Sequence, residues 1–233
     1  MIRTLSSPPP AAPASFQPRA PFSGGVMGKM PSTKMSGFQG AKDTLRTMAD
    51  MALGDRGERS MLVRHFTTQV LRDVWPKDYL GEIIAVRNVF VQPSPWRKCP
   101  ACEKLHDRAA QNCPLTGATL PPSAMTPLVR YTNDARHVEI VKDPERLVEE
   151  IFEHGTTAAD CDEYVVLAAT MLLQIGREVE LVALGFAPQH LTHVGLRARE
   201  PKSNRWIWMD GVAGPREEEA ASKAKEILVW SLD

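Results

Sequence analysis

Apolar residues take up helical spacing at about residue 41. Leu45, Met48, Met51 and Ala52 recur at three- and four-residue intervals until Gly54, which predicts a first helix. A second is expected from about Ser60 to Val74, with Leu62, Phe66, Val70 and Leu71 on one side and Pro76 closing it. A third starts near Asp78 and runs through Leu80, Ile83, Ile84 and Val86 to Phe90. Prolines then dominate residues 92–127, at 93, 95, 100, 114, 121, 122 and 127, and forbid long regular structure. Val129-Arg130-Tyr131 reads as a short strand and Val138 to Val141 as extended backbone. Asp143-Pro144-Glu145 is a strong helix start: a carboxylate N-cap, then proline at the first helical position. Leu147, Val148, Ile151 and Phe152 follow on one face, and Gly155 ends the run.

From Cys161 to Ile175 the chain is apolar enough to be a buried helix, and Gly176 stops it. Three strands are expected next, at 178–186, 191–199 and 205–210. The first is mostly apolar, as a central strand would be. Residues 211–215 read as a turn. The charged, alanine-rich stretch 216–229 reads as a solvated helix ending at Val229-Trp230. The class is therefore α+β: helices at the N-terminal side, then one helix packed on an antiparallel sheet.

Composition adds boundaries to this pattern. Residues 1–38 hold seven of the 19 prolines and lack the apolar content needed to offset ordering entropy, so they read as a flexible arm. Phe16, Phe22, Met27 and Met30 give that arm a means of docking on neighbouring subunits. A helical extension at 39–91, a Cys-rich insertion at 92–127, a core at 128–215 and a charged tail at 216–233 complete the division. Charges balance, with 28 basic and 28 acidic residues, so no global field favours nucleic acid or an anionic membrane. No run reaches the ~20 apolar residues of a membrane span, and no secretory signal precedes Pro8. A cytoplasmic location with reduced thiols is expected.

Candidate chemistry lies in the second half. Asp160 suits an N-cap, and Glu163 three residues on can complete a capping box, which sets Cys161 at the first helical position. There the helix dipole and a nearby histidine can lower a thiol from its usual value of about 8.5. Asp162 and Glu163 oppose a thiolate unless they point away. On the next strands, Leu191, His193, Gly195 and Arg197 are expected to share one face. Thr192, Val194, Leu196 and Ala198 would share the core face. A hairpin can bring Asp210 beside His193. The roles expected are Cys161 as nucleophile, His193 as general base and then acid, and Asp210 as the group orienting the imidazole. Each residue also has an ordinary use: a cysteine as a small buried hydrophobe, a strand histidine as a surface residue, an Asp-Gly as a turn. Trp206 and Trp208 can line a substrate groove or serve packing.

The run Ala159-Asp160-Cys161-Asp162-Glu163, the Leu167-to-Gly176 helix, Thr192-His193-Val194 and Trp206-Ile207-Trp208-Met209-Asp210 together resemble the transglutaminase-like branch of the papain-like cysteine hydrolases and acyltransferases. The likeness is to the small bacterial and phage type, whose box commonly reads Gly-Asp-Cys-Asp-Asp. It spans about residues 128–213. Here Ala159 and Glu163 depart from the pattern. The resemblance implies a papain/transglutaminase-like core with its catalytic positions at Cys161, His193 and Asp210. It also implies a protein or peptide substrate, with peptidase or amidase hydrolysis ahead of cross-linking. A place in a phage particle is an association of the family, and a non-catalytic structural or adaptor protein of such an assembly is the competing reading.

Cys99, Cys102, His106 and Cys113 form a separate cluster. Two thiolates from a Cys-x-x-Cys, a third thiolate and an imidazole make a four-coordinate zinc set, closed and therefore structural. A metal would explain how a proline-rich insertion of this length keeps one shape. Free thiols and a redox pair are the alternatives, and water or another histidine can replace His106. Arg97, Lys98, Lys104 and Arg108 lie nearby without an aromatic platform, which argues against nucleic-acid binding.

Overall fold

The computed structural model describes residues 38–93, 96–107, 109–121, 127–132, 141–187, 190–209 and 222–232. Residues 1–37 of the expected arm, the extended segment at 138–140, Arg108, the turn at 211–215 and Asp210 lie outside them, and Phe38 begins the first helix.

The molecule is organised around one helix. Helix α5 (Cys161–Gln174) is apolar on every side, and each residue from Asp162 to Leu172 is buried. Such a helix is stable only at the centre of a fold. Helices α1 (Phe38–Leu53), α2 (Met61–Leu71), α3 (Tyr79–Val91) and α4 (Pro144–His154) pack around it. The sheet meets it from the other side.

The start signals work as their chemistry requires. Ser60 caps α2 by accepting the Val63 N–H, Asp78 caps α3 by accepting from Gly81, and Asp143 caps α4 by accepting from Arg146. Helix α4 ends at Gly155 with φ 80°, the left-handed conformation that a residue without Cβ adopts cheaply.

The main sheet is antiparallel. It comprises β5 (Val179–Ala187), β6 (His190–Glu200), β7 (Arg205–Met209) and β8 (Glu226–Ser231) in the order β7-β6-β5-β8. Val179, Leu181 and Ala183 of β5 and Val194, Leu196 and Ala198 of β6 join the main core, and α5 lies on this face. The mostly apolar β5 is a central strand, as expected.

Two sequence expectations are corrected here. Residues 226–231 form a strand, not the end of a solvated helix. Ile227 and Val229 face solvent while Leu228 and Trp230 pack on the core, and this two-residue alternation outweighs the alanine-rich stretch before it. The face assignment of β6 also changes near its start. Leu184 pairs with His193 but Gly185 pairs with Leu191, so Thr192 is an extra, bulged residue. Leu191 therefore joins the core at 5% exposure and Thr192 is exposed, the reverse of a strict alternation.

Two short strand pairs were not anticipated in full. Strands β1 (Trp96–Lys98) and β2 (Leu105–Asp107) form an antiparallel hairpin within the Cys-rich insertion. Strand β3 (Val129–Tyr131), which was expected, pairs in parallel with β4 (Thr157–Ala159), which was not. Strand β4 matters because the next residues are Asp160 and Cys161. No helix among the described residues is long and apolar enough to cross a membrane.

Candidate functional site

The turn from β4 into α5 is fixed from both directions. Asp160 Oδ1 accepts the N–H groups of Asp162 at 3.0 Å and Glu163 at 3.2 Å, while Glu163 Oε2 accepts the Asp160 N–H at 3.1 Å. This is the expected capping box, complete in both halves. Cys161 is the first residue of the helix, and its own N–H is the first-turn donor that the box does not use.

Helix α5 packs across β6 so that the Val194 N–H faces the Cys161 sulfur. His193 is the neighbouring residue on that strand. Asp162, His193, Leu191, Val194 and Ala183 line a shallow cavity that α1 closes with Ala41, Thr44 and Leu45. Cys161 and His193 are both half-buried. Strand β7 continues the hairpin as far as Met209 opposite Leu196. Asp210, the expected orienting carboxylate, follows it outside the described residues.

The electrostatics of the thiol differ from expectation. Burial first, then the Asp162 and Asp160 carboxylates, push the Cys161 thiol well above its ordinary range; the Val194 N–H favours the thiolate but is outweighed. Asp162 does not point away. The Cys161 Sγ–H donates to Asp162 Oδ1 at 3.4 Å, and the Asp162 side chain is buried beside it. The arrangement favours the protonated thiol, whose hydrogen a carboxylate accepts.

Trp206 and Trp208 lie half-buried on β7. The Arg197 guanidinium sits 4.8 Å from the Trp206 ring and 5.9 Å from the Trp208 ring, and also pairs with Glu180. Trp208 covers Val182 and Leu184. Packing accounts for this pair. His65 stacks against Phe152, and His154 lies exposed beside Glu153.

The second site lies in the insertion. The ligand atoms of Cys99, Cys102, His106 and Cys113 all lie within 4.8 Å of one another. Cys102 Sγ is 3.2 Å from His106 Nε2 and 3.6 Å from Cys113 Sγ, and Cys113 Sγ is 3.3 Å from His106 Nε2. Tetrahedral coordination with metal–sulfur and metal–nitrogen bonds of about 2.3 and 2.0–2.1 Å demands S···S near ~3.8 Å and S···N near ~3.6 Å. The four residues can hold a metal ion, and His106 is the imidazole of the set. All four cysteines are free of disulfides.

The backbone around these ligands repeats itself. The Cys99 N–H bonds to Lys104 O and the Glu103 N–H to Cys99 O; equally, the Cys113 N–H bonds to Ala118 O and the Gly117 N–H to Cys113 O. Glu103 and Gly117 hold matching positive φ angles of 58° and 70°. The insertion thus contains two knuckles of one design, with Thr116 standing where a second Cys-x-x-Cys would carry its last cysteine. A repeated Cys-Pro start, at 99–100 and 113–114, was the available sequence signal. Burial pushes the Cys113 thiol up, but the Thr116 hydroxyl, the Leu115 and Thr116 N–H groups and the Cys102 thiol overcome it and hold it at about 6. A sulfur so disposed is already close to the thiolate a metal needs.

Compared with known proteins, the chain matches no family profile, no curated protein and no solved structure.

Proposed function

We propose that the protein is a cysteine acyl-transfer enzyme built on a papain/transglutaminase-like core. Cys161 attacks an amide or peptide carbonyl, His193 takes the thiol proton and later delivers it to the leaving amine, and Asp210 orients the imidazole. Water then hydrolyses the thioester, in preference to an amine acceptor. The observation that carries this reading is the seating of a capped, first-turn cysteine against the main chain of β6, one residue from a strand histidine. The unused Cys161 N–H and the positive end of α5 are suited to stabilise a developing oxyanion. Because burial and Asp162 hold the thiol protonated, the reading requires His193 to withdraw that proton when substrate displaces the Cys161–Asp162 contact.

The ion of the insertion is proposed to be zinc, since three sulfurs and one imidazole at tetrahedral separations suit it best. With all four positions taken by protein, its role is structural. Zinc supplies the constraint that a hydrophobic core of Cys99, Cys113 and Leu120 is too small to provide.

A scaffold without turnover, such as a structural component of a phage particle, is the second reading, and the elevated thiol favours it. An activated ester separates the two. Incubation with p-nitrophenyl acetate should leave an acetyl group on Cys161, located by peptide mass spectrometry, and Cys161→Ala should not be labelled in that peptide. An unmodified Cys161 after many equivalents of ester supports the scaffold.

A further inference from the structure

The strap behind the candidate nucleophile has no part in the roles given above. Glu163 is 4% exposed, yet its carboxylate is engaged on both oxygens. Oε2 accepts the Asp160 N–H from its own helix turn, and Oε1 accepts the Lys142 N–H, from the segment leading into α4, at 3.0 Å. A capping box needs only the first of these bonds. The second joins two stretches of chain 21 residues apart.

Lys142 adds a parallel tie. Its ammonium donates to Ala158 O on β4 at 2.8 Å and pairs with Glu150 Oε2 at 3.3 Å. Glu150 is held in turn by the Thr157 hydroxyl and by Arg146 Nε at 3.2 Å. The main chain entering Cys161 is therefore gripped at Ala158 by Lys142 and at Asp160 by Glu163. Residues on both elements flanking the turn depend on one buried carboxylate and one lysine.

We infer that Glu163 is a positioning residue for Cys161, its carboxylate clasping the nucleophile turn to the segment at Lys142. The consequence for catalysis rests on the acyl-transfer reading; the clasp itself does not. The charged groups facing Glu163 are Lys142 from the segment before α4 and Asp160 from the cap, with Glu150 of α4 acting through Lys142. Burial raises the Glu163 carboxyl to about 7; Lys142 opposes the rise and Asp160 adds to it. Near neutral pH the clasp accordingly exists in two protonation states.

The test uses the full chain, as wild type, Glu163→Gln and Glu163→Ala. Amide exchange at Lys142 and Asp160 is followed by NMR, and alkylation of Cys161 by iodoacetamide is followed across pH 5.5 to 9.5. In Glu163→Gln one of the two amides should exchange about tenfold faster, the worth of roughly one net hydrogen bond, and in Glu163→Ala both should. The wild-type alkylation profile should show an inflection near pH 7 superimposed on a rate that still climbs with thiol ionisation at pH 9.5, and Glu163→Gln should lack that inflection. Unchanged exchange at both amides in Glu163→Gln, or a wild-type profile with the thiol ionisation alone, overturns the inference. If Glu163→Ala does not fold, the isosteric Gln variant and the wild-type profile still decide. A Cys161 that reacts sluggishly at every pH counts against acyl transfer, while the amide rates judge the clasp separately.

Discussion

Two buried carboxylates, one beside the sulfur and one bonded to the main chain, set the residue-level behaviour of the nucleophile turn. Asp162 holds the Cys161 hydrogen, and Glu163 holds the main chain. Their acidities affect stability as well as chemistry. The folded Glu163 carboxyl, raised from its ordinary 4.5 to about 7, binds its proton more tightly than the unfolded chain does. Its stabilising contribution is therefore fully present below about pH 4.5 and is lost as pH rises through about 7. At roughly 1.36 kcal/mol per unit the loss has an upper bound of ~3 kcal/mol. Denaturant melts between pH 5 and 8 should show wild type losing stability across this window. Glu163→Gln, which cannot ionise, should be flatter by 1 kcal/mol or more, on the order of half that bound. Parallel curves for the two proteins would mean that Glu163 ionises normally in the fold.

At the scale of elements, the two knuckles contain their own control. Gly117 occupies the left-handed corner of one, and Glu103 occupies the same corner of the other. A side chain in that conformation costs roughly 1–2 kcal/mol that glycine avoids. Glu103 is exposed, so Glu103→Gly removes strain without removing a contact, and thermal melts should show a stabilisation of about 1 kcal/mol. A destabilised variant would mean that the Glu103 side chain has a role at the site. The equivalence of the knuckles was partly legible, since both open with Cys-Pro. It was hidden because Thr116 replaces the last cysteine, and because hydrogen bonds between backbone atoms carry no residue signature. Caps were the most readable features: Ser60, Asp78, Asp143 and Asp160 each act through a side chain reaching N–H groups two or three residues away. Strands β4 and β8 were missed for the opposite reason. Three residues of Thr157-Ala158-Ala159 carry no period, and β8 owes its existence to pairing with β5 across 40 intervening residues of sequence or more. The bulge at Thr192 is likewise a product of pairing, and it altered which side chains of β6 face the core.

Over the whole molecule, the contacts that fasten the insertion to the helical layer include two made with α2. Trp96, 6% exposed, packs edge-on to Phe66 of α2 at 5.8 Å, and Arg72 at the end of α2 pairs with Asp107 at 2.7 Å. The metal set lies three residues beyond Trp96. Removing the ion should therefore disorder the knuckles and let water reach Trp96, while α5 and the four-stranded sheet persist on their own core. Chelation of purified protein should release about one zinc per chain, shift the tryptophan emission to the red and lower the melting temperature, with far-ultraviolet circular dichroism largely kept. Cys99→Ser should reproduce the effect. Full unfolding on chelation would instead make the centre a determinant of the entire fold, and an unaltered melt with no metal found would leave the cysteines as ordinary thiols.

The acyl-transfer reading depends on His193 withdrawing a proton from a sulfur that burial and Asp162 otherwise keep protonated. The most direct measurement is the second-order rate of Cys161 alkylation by iodoacetamide at pH 7, read by peptide mass spectrometry in wild type and in His193→Ala. An assisted thiol should react at least about tenfold faster in wild type than in the variant, the effect of roughly one unit of thiol acidity. Equal rates in the two proteins, at or below that of a free cysteine, would contradict it.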